Sequence, residues 1–523
     1  MEQIRASLRQ SGANRVVVAA CTPRTHEALF QHVLQDVGLN PYLLEFVSLR
    51  DHCTWVHRND PAGATRKAHE LIRVGAARAR TLEPIHKVRT DFQRTAMVLG
   101  GGLAGMTAAL TIANEGYDVY LVEKTGQLGG HLRHLYFTAE GPDPQRLLRQ
   151  LIKDVECSHR IAVLTNSELV GFGGHIGNFH SVIETRHNGS GKRQTVHHGL
   201  LVVATGAQEY RGPQYLFGQD PRVMTQLDLE RQLALSPDVA HTFNSIVMIQ
   251  CVRGPGQEAD YCSRTCCTNS LKNAIRIKQI NPDCQIYVLY KDLITYGYRE
   301  EFYTEARRRG VIFMRYDEDN RPSVRVVNEE LHVTMDELVL GEKITLKPDI
   351  VALSMATVPA ETNPQLARLL GVPLSPDGFF MEAHLKLRPM DFMREGIFLC
   401  GLAHYPKFVE ESISQALATA GRALSILAKP QLEVGGVVAS VDESKCVACL
   451  TCVRTCPFDV PVIDPERIGN GEIKGAAYID PALCQGCGTC TGECPANAIQ
   501  LAHYRDDQLM LCDADILGRW QVV

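Results

Sequence analysis

The sequence predicts an α/β protein of several domains, one of them interrupted by another, closed by an α+β module built around cysteines. Three observations carry that prediction: a glycine-rich turn between an apolar strand and a helix near residue 100, two apolar strands ending in glycine much farther along (201–207 and 396–401), and two identical four-cysteine runs before the C-terminus. At 523 residues the chain exceeds a single hydrophobic core, and about three or four domains are expected. With 45% hydrophobic and 22% charged residues, disorder and fibrous repeats are excluded, and no stretch approaches the ~18 uninterrupted apolar residues of a membrane span. Lys plus Arg is 54 against 59 Asp plus Glu, a net charge of -5 that leaves no electrostatic footprint for nucleic acid or an anionic membrane. The polar start Met1-Glu2-Gln3-Ile4-Arg5 is no secretory signal, so the expected home is the cytoplasm. In that reducing compartment 18 cysteines at clustered spacing point to metal or redox chemistry.

Residues 1–93 read as a small α/β domain with a strand over 15–20 and a helix over 62–80. A split domain follows at 94–241 and 385–430, interrupted by a second α/β domain at 242–384. The stretch 429–436 is the expected linker to a module at 437–523, and the cysteine runs are the only internal duplication visible.

A strand over 95–99 leads into Gly100-Gly101-Gly102-Leu103-Ala104-Gly105, a helix over 106–114 and a second strand over 117–122 ending in Glu123 and Lys124. Gly100, Gly102 and Gly105 match G-x-G-x-x-G, which permits a tight turn, close approach of backbone to a pyrophosphate and close helix–strand packing; Glu123 can accept from both ribose hydroxyls. With strand, helix and acid in order the motif reads as a dinucleotide site, the alternative being a glycine-rich turn in an unliganded unit. Gly129-Gly130 follows the acid, the strand over 201–207 contains Ala204-Thr205-Gly206, and the one over 396–401 ends in Gly401, with Leu402 next. Together these resemble the three sequence marks of the thioredoxin-reductase and glutathione-reductase flavoproteins, which implies FAD. In that family the third mark continues with an Asp on the flavin ribityl chain. Here Leu402 stands in its place, and His404-Tyr405-Pro406-Lys407 is the segment left to take over. A helix over 415–422 could point its N-terminus at the flavin pyrimidine, where a helix dipole stabilises negative charge. Lys407 is a candidate beside the flavin, against its ordinary reading as a solvated loop lysine. No side chain need act as nucleophile or general base, because the cofactor carries the chemistry.

The inserted domain begins strand, helix, strand over 245–252, 269–280 and 285–290. At the turn, Cys251-Val252-Arg253-Gly254-Pro255-Gly256-Gln257-Glu258 replaces a nucleotide fingerprint. Proline offers no N–H and a carboxylate repels phosphate, so no NAD(P)H site is expected there. Cys251, Cys262, Cys266 and Cys267 fall within 17 residues. Spacing leaves open a third 4Fe-4S cluster, a redox-active thiol pair, or unpaired structural cysteines.

Near the end, Cys446, Cys449, Cys452 and Cys456-Pro457 are spaced C-x2-C-x2-C-x3-C-P, and Cys484, Cys487, Cys490 and Cys494-Pro495 repeat the spacing 38 residues later. This is the two-cluster bacterial ferredoxin pattern, in which the fourth cysteine of each run reaches the other cluster. Cys446, Cys449, Cys452 and Cys494 are the expected ligands of one 4Fe-4S cluster, and Cys484, Cys487, Cys490 and Cys456 of the other. Zinc knuckles are the competing reading, but zinc sites usually take two C-x2-C pairs. Cys157, Cys284, Cys400 and Cys512 fit no such spacing and read as structural.

Across nearly its whole length the chain resembles the iron-sulfur flavoprotein component, called A, of the CoB-CoM heterodisulfide reductase complexes. The marks are Val16-Val17-Val18-Ala19-Ala20-Cys21-Thr22-Pro23-Arg24-Thr25-His26, Asn40-Pro41-Tyr42, His52-Cys53-Thr54-Trp55-Val56-His57, Leu128-Gly129-Gly130, Tyr261-Cys262-Ser263-Arg264-Thr265-Cys266-Cys267, Gly401-Leu402-Ala403-His404 and the ferredoxin tail. The resemblance implies an oxidoreductase subunit in which FAD branches a donor's electron pair between a high-potential acceptor and ferredoxin. It also implies that Cys251, Cys262, Cys266 and Cys267 hold a cluster near the flavin. The implied partners are B- and C-like subunits, a hydrogenase, formate dehydrogenase or NADH-oxidising partner, and ferredoxin, in a hetero-oligomer that can include a dimer. No nucleic acid and no membrane insertion are expected. Relatives carry further N-terminal cysteines that are not seen ahead of Cys21 here, so Cys21 and Cys53 read equally as cluster ligands or as buried structural thiols. The ferredoxin insertion that larger relatives carry after Gly-Gly is not expected, because 132–137 runs directly into Pro142-Asp143-Pro144 and a helix. Two other readings remain: a non-bifurcating subunit linking ferredoxin to a thiol-disulfide or quinone pathway, and a structural electron wire without FAD.

Overall fold

The computed structural model describes residues 1–187, 190–254, 261–339 and 341–517, so the Pro255-Gly256-Gln257-Glu258 part of the second turn lies outside the described residues. The chain divides into two compact units, one of residues 1–91 with 430–523 and one of residues 92–429.

The first unit opens with α1 (Glu2–Ser11), β1 (Val16–Ala20), α2 (Pro23–Asp36), β2 (Leu44–Ser48), α3 (Pro61–Ala79) and β3 (Val88–Thr90). β1 and β2 pair in parallel. Gly75 lets α3 close on β2, since a Cβ there would fall 2.4 Å from a Val47 methyl. A π-helical turn, Arg50–Thr54, follows β2 and buries Cys53.

The second unit contains β4 (Thr95–Leu99), α4 (Leu103–Asn114), β5 (Asp118–Val122), α5 (Pro144–Cys157), β6 (Ile161–Leu164), β7 (Ser167–His175), β8 (Asn178–His187), β9 (Ser190–His198), β10 (Leu200–Val203) and β11 (Ala207–Glu209). It continues with β12 (Val223–Thr225), α6 (Gln226–Leu235), β13 (Ser245–Val252), α7 (Cys266–Ile280), β14 (Gln285–Tyr290), α8 (Glu300–Arg308) and β15 (Ile312–Arg315). β16 (Ser323–Val327), β17 (Glu330–Glu337), β18 (Glu342–Leu346), β19 (Ile350–Met355), β20 (Thr357–Pro359), α9 (Asn363–Leu370), β21 (Ile397–Leu399) and α10 (Val409–Leu427) complete it.

Two five-stranded parallel sheets form its core, in the orders β21-β10-β4-β5-β6 and β12-β19-β13-β14-β15. Period-2 alternation explains their two-sided burial. In β4, Ala96 and Val98 face α4 and α10, while Met97 and Leu99 face Phe179 and Ile183 of β8. In β13, Ile246 and Met248 face α6 and α7, while Val247 and Ile249 face Leu331 and Val333 of β17. Each sheet is thus covered by helices on one side and by a three-stranded antiparallel sheet, β7-β8-β9 or β16-β17-β18, on the other. This structural duplication adds to the repeat visible in the cysteine runs. The short antiparallel pair β11-β20 links the two halves.

The remainder of the first unit is β22 (Leu432–Val434), β23 (Ala439–Val441), α11 (Thr451–Thr455), β24 (Val462–Ile468), β25 (Lys474–Tyr478), α12 (Thr489–Gly492), β26 (Ile499–Leu501) and α13 (Asp506–Leu517). The stretch read as a linker is therefore partly a strand. β22 buries Leu432 and Val434 and pairs antiparallel with β3. Arg505 also grips Glu83 through both guanidinium nitrogens, at 2.9 and 3.1 Å.

Candidate functional site

A cavity of about 420 Å³ opens at the C-terminal ends of the first sheet's strands, where doubly wound sheets place their ligands, and adjoins a cleft of about 940 Å³. Gly100, Gly102, Leu103, Ala104, Glu123, Lys124, Gly130, Ala204, Thr205, Gly206, Gly401, Leu402 and Lys407 all line the cavity. Gly105 and Gly129 support it from behind. Gly100 has φ +106°, and a Cβ there would meet the Ala204 carbonyl oxygen at 2.3 Å; a Cβ on Gly105 would fall 1.8 Å from the Gly100 oxygen. Gly129 donates its N–H to the Gly101 carbonyl at 2.8 Å. By contrast Gly102 and Gly206 face open space, with nothing nearer than 4.0 Å to a Cβ on Gly102.

Glu123 fixes the turn from the adjacent strand. One carboxylate oxygen accepts the Gly101 N–H at 2.7 Å, and the other accepts the Thr125 N–H and hydroxyl at 2.8 Å each. Lys124 pairs with Glu168 at 3.3 Å. Gly102 caps α4 without a side-chain hydrogen bond, so the helix's first N–H groups are available to an anion. Thr205 Oγ1, Ser354 Oγ and Gln226 Nε2 line the cavity yet are buried with no partner in the protein. Buried polar atoms are otherwise almost always paired. A glycine cradle, a free helix N-terminus and a wall short of hydrogen-bond partners fit the diphosphate and polar rims of FAD.

The other end of the cavity is built by the segment after β21. The helix expected over 415–422 begins earlier, at Val409, and Phe408, Val409 and Ser412 line the cavity. The carboxylate of Glu411 accepts the Phe408 N–H at 2.9 Å, a cap that starts the helix there. Lys407 is only 7% exposed, not solvated. Its ammonium lies 3.1 Å from the Tyr405 ring centroid and donates to the Tyr405 carbonyl at 3.3 Å. Burial lowers its pKa to about 7 against the pull of Glu411, with the charge of Arg264 adding to the depression. His404 is buried as well, and desolvation holds it down to about 4. Gln415 accepts the Gly401 N–H at 2.9 Å and donates to His404 Nδ1 at 2.8 Å, leaving His404 Nε2–H to donate to Glu382 at 2.8 Å.

The cysteine loop of the second sheet reaches this same end: Thr265, Cys266 and Asn269 share the cavity wall with Leu402 and Lys407. Arg264 ties the loop down by donating to the Pro406 carbonyl at 3.0 Å and to Glu411 at 2.7 Å. Cys251 has φ +59° and sits at a register shift in β13. Burial, with Cys267 and Cys262 close by, raises its thiol to about 11. A hydrogen bond between the neighbouring thiols holds Cys266 up and Cys267 down. Cys262 accepts the Arg264 N–H at 3.2 Å. Sulfur donors with few competing partners at the start of α7 fit an iron-sulfur cluster.

In the first unit, Cys446, Cys449, Cys452 and Cys494 line one small cavity, and Cys456, Cys484, Cys487 and Cys490 line another. The 38-residue repeat extends to backbone detail. Ala448 and Leu450 have φ of 50° and 65°, matching Gly486 and Gly488 at 66° and 77°. The Ala477 N–H donates to Cys446 Sγ and the Ala439 N–H to Cys484 Sγ, at 3.3 and 3.5 Å. Such N–H···S bonds suit cluster sulfurs. Cys53 is fully buried and its thiol donates to the Ala64 carbonyl at 3.0 Å, the arrangement of a structural thiol; Cys21 follows β1 and is partly exposed. Cys284 and Cys400 are buried, and Cys157 is exposed at the end of α5.

Sequence reasoning missed Ser354, Met355, Thr265, Asn269, Phe408 and Val409. Ser354 and Met355 end the apolar run of β19, and strand ends of this kind could have been picked out from the parallel-sheet pattern alone.

Residues 435–498 match the 4Fe-4S dicluster domain family, and residues 94–230 match the pyridine nucleotide-disulphide oxidoreductase family. The chain is 33% identical to one of the A-type iron-sulfur subunits of CoB-CoM heterodisulfide reductase from Methanopyrus kandleri, over 97% of this chain and 89% of that one. It is 30% identical to the A-type component of the H(2)/formate:CoB-CoM heterodisulfide,ferredoxin reductase of Methanococcus maripaludis, over 97% and 90%. Among solved structures, T. acidophilum thioredoxin reductase superposes with a TM-score of 0.44 at 14% identity, over 65% of this chain and 99% of that one. The fold is α/β, a pyridine nucleotide-disulphide oxidoreductase-type FAD Rossmann unit with a C-terminal ferredoxin domain, and the chain is an oxidoreductase that uses FAD and 4Fe-4S clusters.

Proposed function

Because this chain belongs to the family of A-type iron-sulfur subunits of CoB-CoM heterodisulfide reductase, we propose that it is the electron-branching subunit of a heterodisulfide-reductase-type complex. It takes an electron pair from a partner-delivered donor and sends one electron to a high-potential acceptor and the other to ferredoxin. When bound, FAD accepts electrons in pairs and releases them singly, and 4Fe-4S clusters carry them one at a time.

The chain's own residues supply the placement. Gly100, Gly102 and the α4 N-terminus cradle the diphosphate, and Glu123 holds that turn rigid. Lys407 and the α10 N-terminus put positive potential at the flavin end, where Lys407 can hold or release a proton near neutrality. Cys251, Cys262, Cys266 and Cys267 hold a third cluster, and the eight interleaved cysteines of the tail hold two more. The observation that carries the reading is that Cys266 lies in the same cavity wall as Leu402 and Lys407.

The proposed partners are B- and C-like subunits, ferredoxin, and a hydrogenase, formate dehydrogenase or NADH-oxidising protein, of which the M. maripaludis relative's name supports the first two donors. Among the described residues no helix is long and apolar enough to cross a membrane; the proposed site of action is the cytoplasm. Metal, sulfide and flavin analysis of anaerobically purified protein, with EPR of the stepwise reduced sample, tests the cofactor set. About twelve irons and one FAD per chain are expected, and about eight irons would remove the third cluster. In the assembled complex, ferredoxin reduction is expected to stop when the high-potential acceptor is withheld. Undiminished reduction would replace branching with simple transfer.

A further inference from the structure

Of the four cysteines of the second sheet, Cys266 and Cys267 start α7, Cys262 lies in the loop before it, and Cys251 alone comes from a strand. β13 is a central strand, flanked by β19 and β14. Its ladder with β19 pairs Ile249 with Leu353 and then Val252 with Met355, so Gln250 and Cys251 together face the single residue Ser354. Two residues against one is a β-bulge, and within it Cys251 adopts a left-handed φ of +59°. Pairing with β14 has ended by this point, at Ile249 with Leu289. A bulge at the centre of a sheet leaves a backbone carbonyl short of its ladder partner, and a non-glycine residue in the left-handed region adds strain. Something must compensate.

Gln250 is held from two sides. Its carbonyl accepts the Tyr316 hydroxyl at 2.9 Å, and its side-chain amide donates to Ser270 Oγ at 2.8 Å. Tyr316 directly follows β15, is 3% exposed, and is itself anchored by its N–H to the Tyr290 carbonyl at 2.9 Å. Ser270 lies on α7, one turn past Cys266 and Cys267. The Tyr316 hydroxyl thus replaces the hydrogen bond that the bulge removes, and Ser270 ties the same residue to the helix that carries two of the other thiols.

We infer that Tyr316 and Gln250 are positioning residues for the third cluster: by locking the bulge they hold the Cys251 sulfur in line with Cys266 and Cys267 before the cluster is inserted. Without the bulge the next residue along a strand points to the opposite face, so the lock decides whether Cys251 can act as a ligand. The inference rests on the proposal that the four cysteines hold a cluster, and its test separates the two.

Three variants of the full chain, C251S, Y316F and S270A, are purified anaerobically. Iron per chain, the rate of iron loss to a chelator and the EPR of the reduced samples are measured for each, with the two ferredoxin clusters and FAD content as internal standards of folding. C251S is expected to lose about four irons. Y316F is expected to retain the wild-type iron content but to release four of its irons about tenfold faster, and to shift the EPR signal of that one cluster, as loss of one buried hydrogen bond predicts. S270A, which frees the other side of Gln250, is expected to move the same signal in the same direction. If C251S loses four irons while Y316F and S270A match the wild type in release rate and spectrum, the positioning role is overturned. If the wild type itself carries about eight irons, the cluster is absent and the inference falls with it; if the wild type carries about twelve and C251S keeps them all, Cys251 is no ligand and the positioning role is overturned while the cluster stands.

Discussion

Two glycines three residues apart in the first turn should fail in opposite ways when each is given a methyl group. A Cβ on Gly105 would sit 1.8 Å from the Gly100 carbonyl oxygen, 3.0 Å from its carbon and 3.4 Å from the Ala204 Cβ, the first two being backbone atoms that cannot rotate away. Ordinary contact begins near ~3.4 Å, so the start of α4 must retreat by about 1.6 Å. That helix buries Met106, Ala109 and Ile112 against the first sheet. Overpacking with backbone displacement costs about 3 kcal/mol, a fall of roughly 4 °C in Tm for the unit of residues 92–429 at ~2.1 cal/mol/K of unfolding entropy per residue. Gly102 has no atom closer than 4.0 Å to its missing Cβ, and its φ of -78° suits any residue. G102A should therefore fold normally, but its methyl group fills the space through which the backbone approaches the diphosphate. Losing a charge-assisted contact there costs about 2 kcal/mol, or about thirtyfold in FAD Kd. The assay is thermal unfolding of the flavin-free proteins by circular dichroism, with FAD retention through gel filtration and ferredoxin EPR as a check on the rest of the chain. The reasoning is refuted if G102A binds FAD as tightly as the wild type, or if G105A melts with it.

Three further outcomes are expected. Because burial lowers Lys407 to about 7, its penalty on the folded state is fully present below that pH and fades between 7 and the ordinary lysine range; stability relative to K407M should therefore rise by up to about 4 kcal/mol from pH 6 to pH 10, and parallel urea-unfolding profiles would sink the assignment. C494S should remove the cluster of the Cys446 run and C456S that of the Cys484 run, each costing about four irons; EPR of the survivors identifies which cluster has gone, and a loss confined to each cysteine's own run would refute the interleaving. Lys272 and Glu230, 3% and 0% exposed, pair at 2.8 Å and hold the Tyr136–Phe137 backbone, so K272M should cost about 3–5 kcal/mol in chemical unfolding by stranding a buried carboxylate, whereas a wild-type midpoint would show that the pair is not needed.

Much of the scaffold could be read from the chain because its signals are local. β4 and β13 keep the bounds that their apolar runs set, and the glycine turn needs its glycines for contacts within a few residues and with one neighbouring strand. What could not be read depends on tertiary surroundings. Lysine is almost never buried unpaired, so composition argued for a solvated Lys407, and only the packing of Tyr405, Phe408 and Arg264 around it encloses it. The helix read over 415–422 from its small residues starts six residues earlier, at Val409, because the Glu411 carboxylate caps Phe408, a contact that no periodicity shows. β22 is three residues long and forms only because β3, some 340 positions away, offers an edge.

The duplication of the two sheets was hidden for a more telling reason. The strand orders β21-β10-β4-β5-β6 and β12-β19-β13-β14-β15 place the turn after β4 and the turn after β13 at equivalent positions, each feeding a helix that lacks a side-chain cap. An uncapped helix N-terminus calls for negative charge, whatever group carries it. At α4 the residues on offer are glycines, which let a diphosphate close on the backbone. At α7 they are Cys266 and Cys267, with Cys251 held by a bulge where the glycine turn would be. Both loops stand at the start of a helix that follows the same strand of its sheet, so a cysteine loop can take the place of a glycine loop while strand order, helix and sheet packing are kept. The two halves differ at the turn where a repeat of the glycine motif would be sought, because glycines stand at one and cysteines at the other.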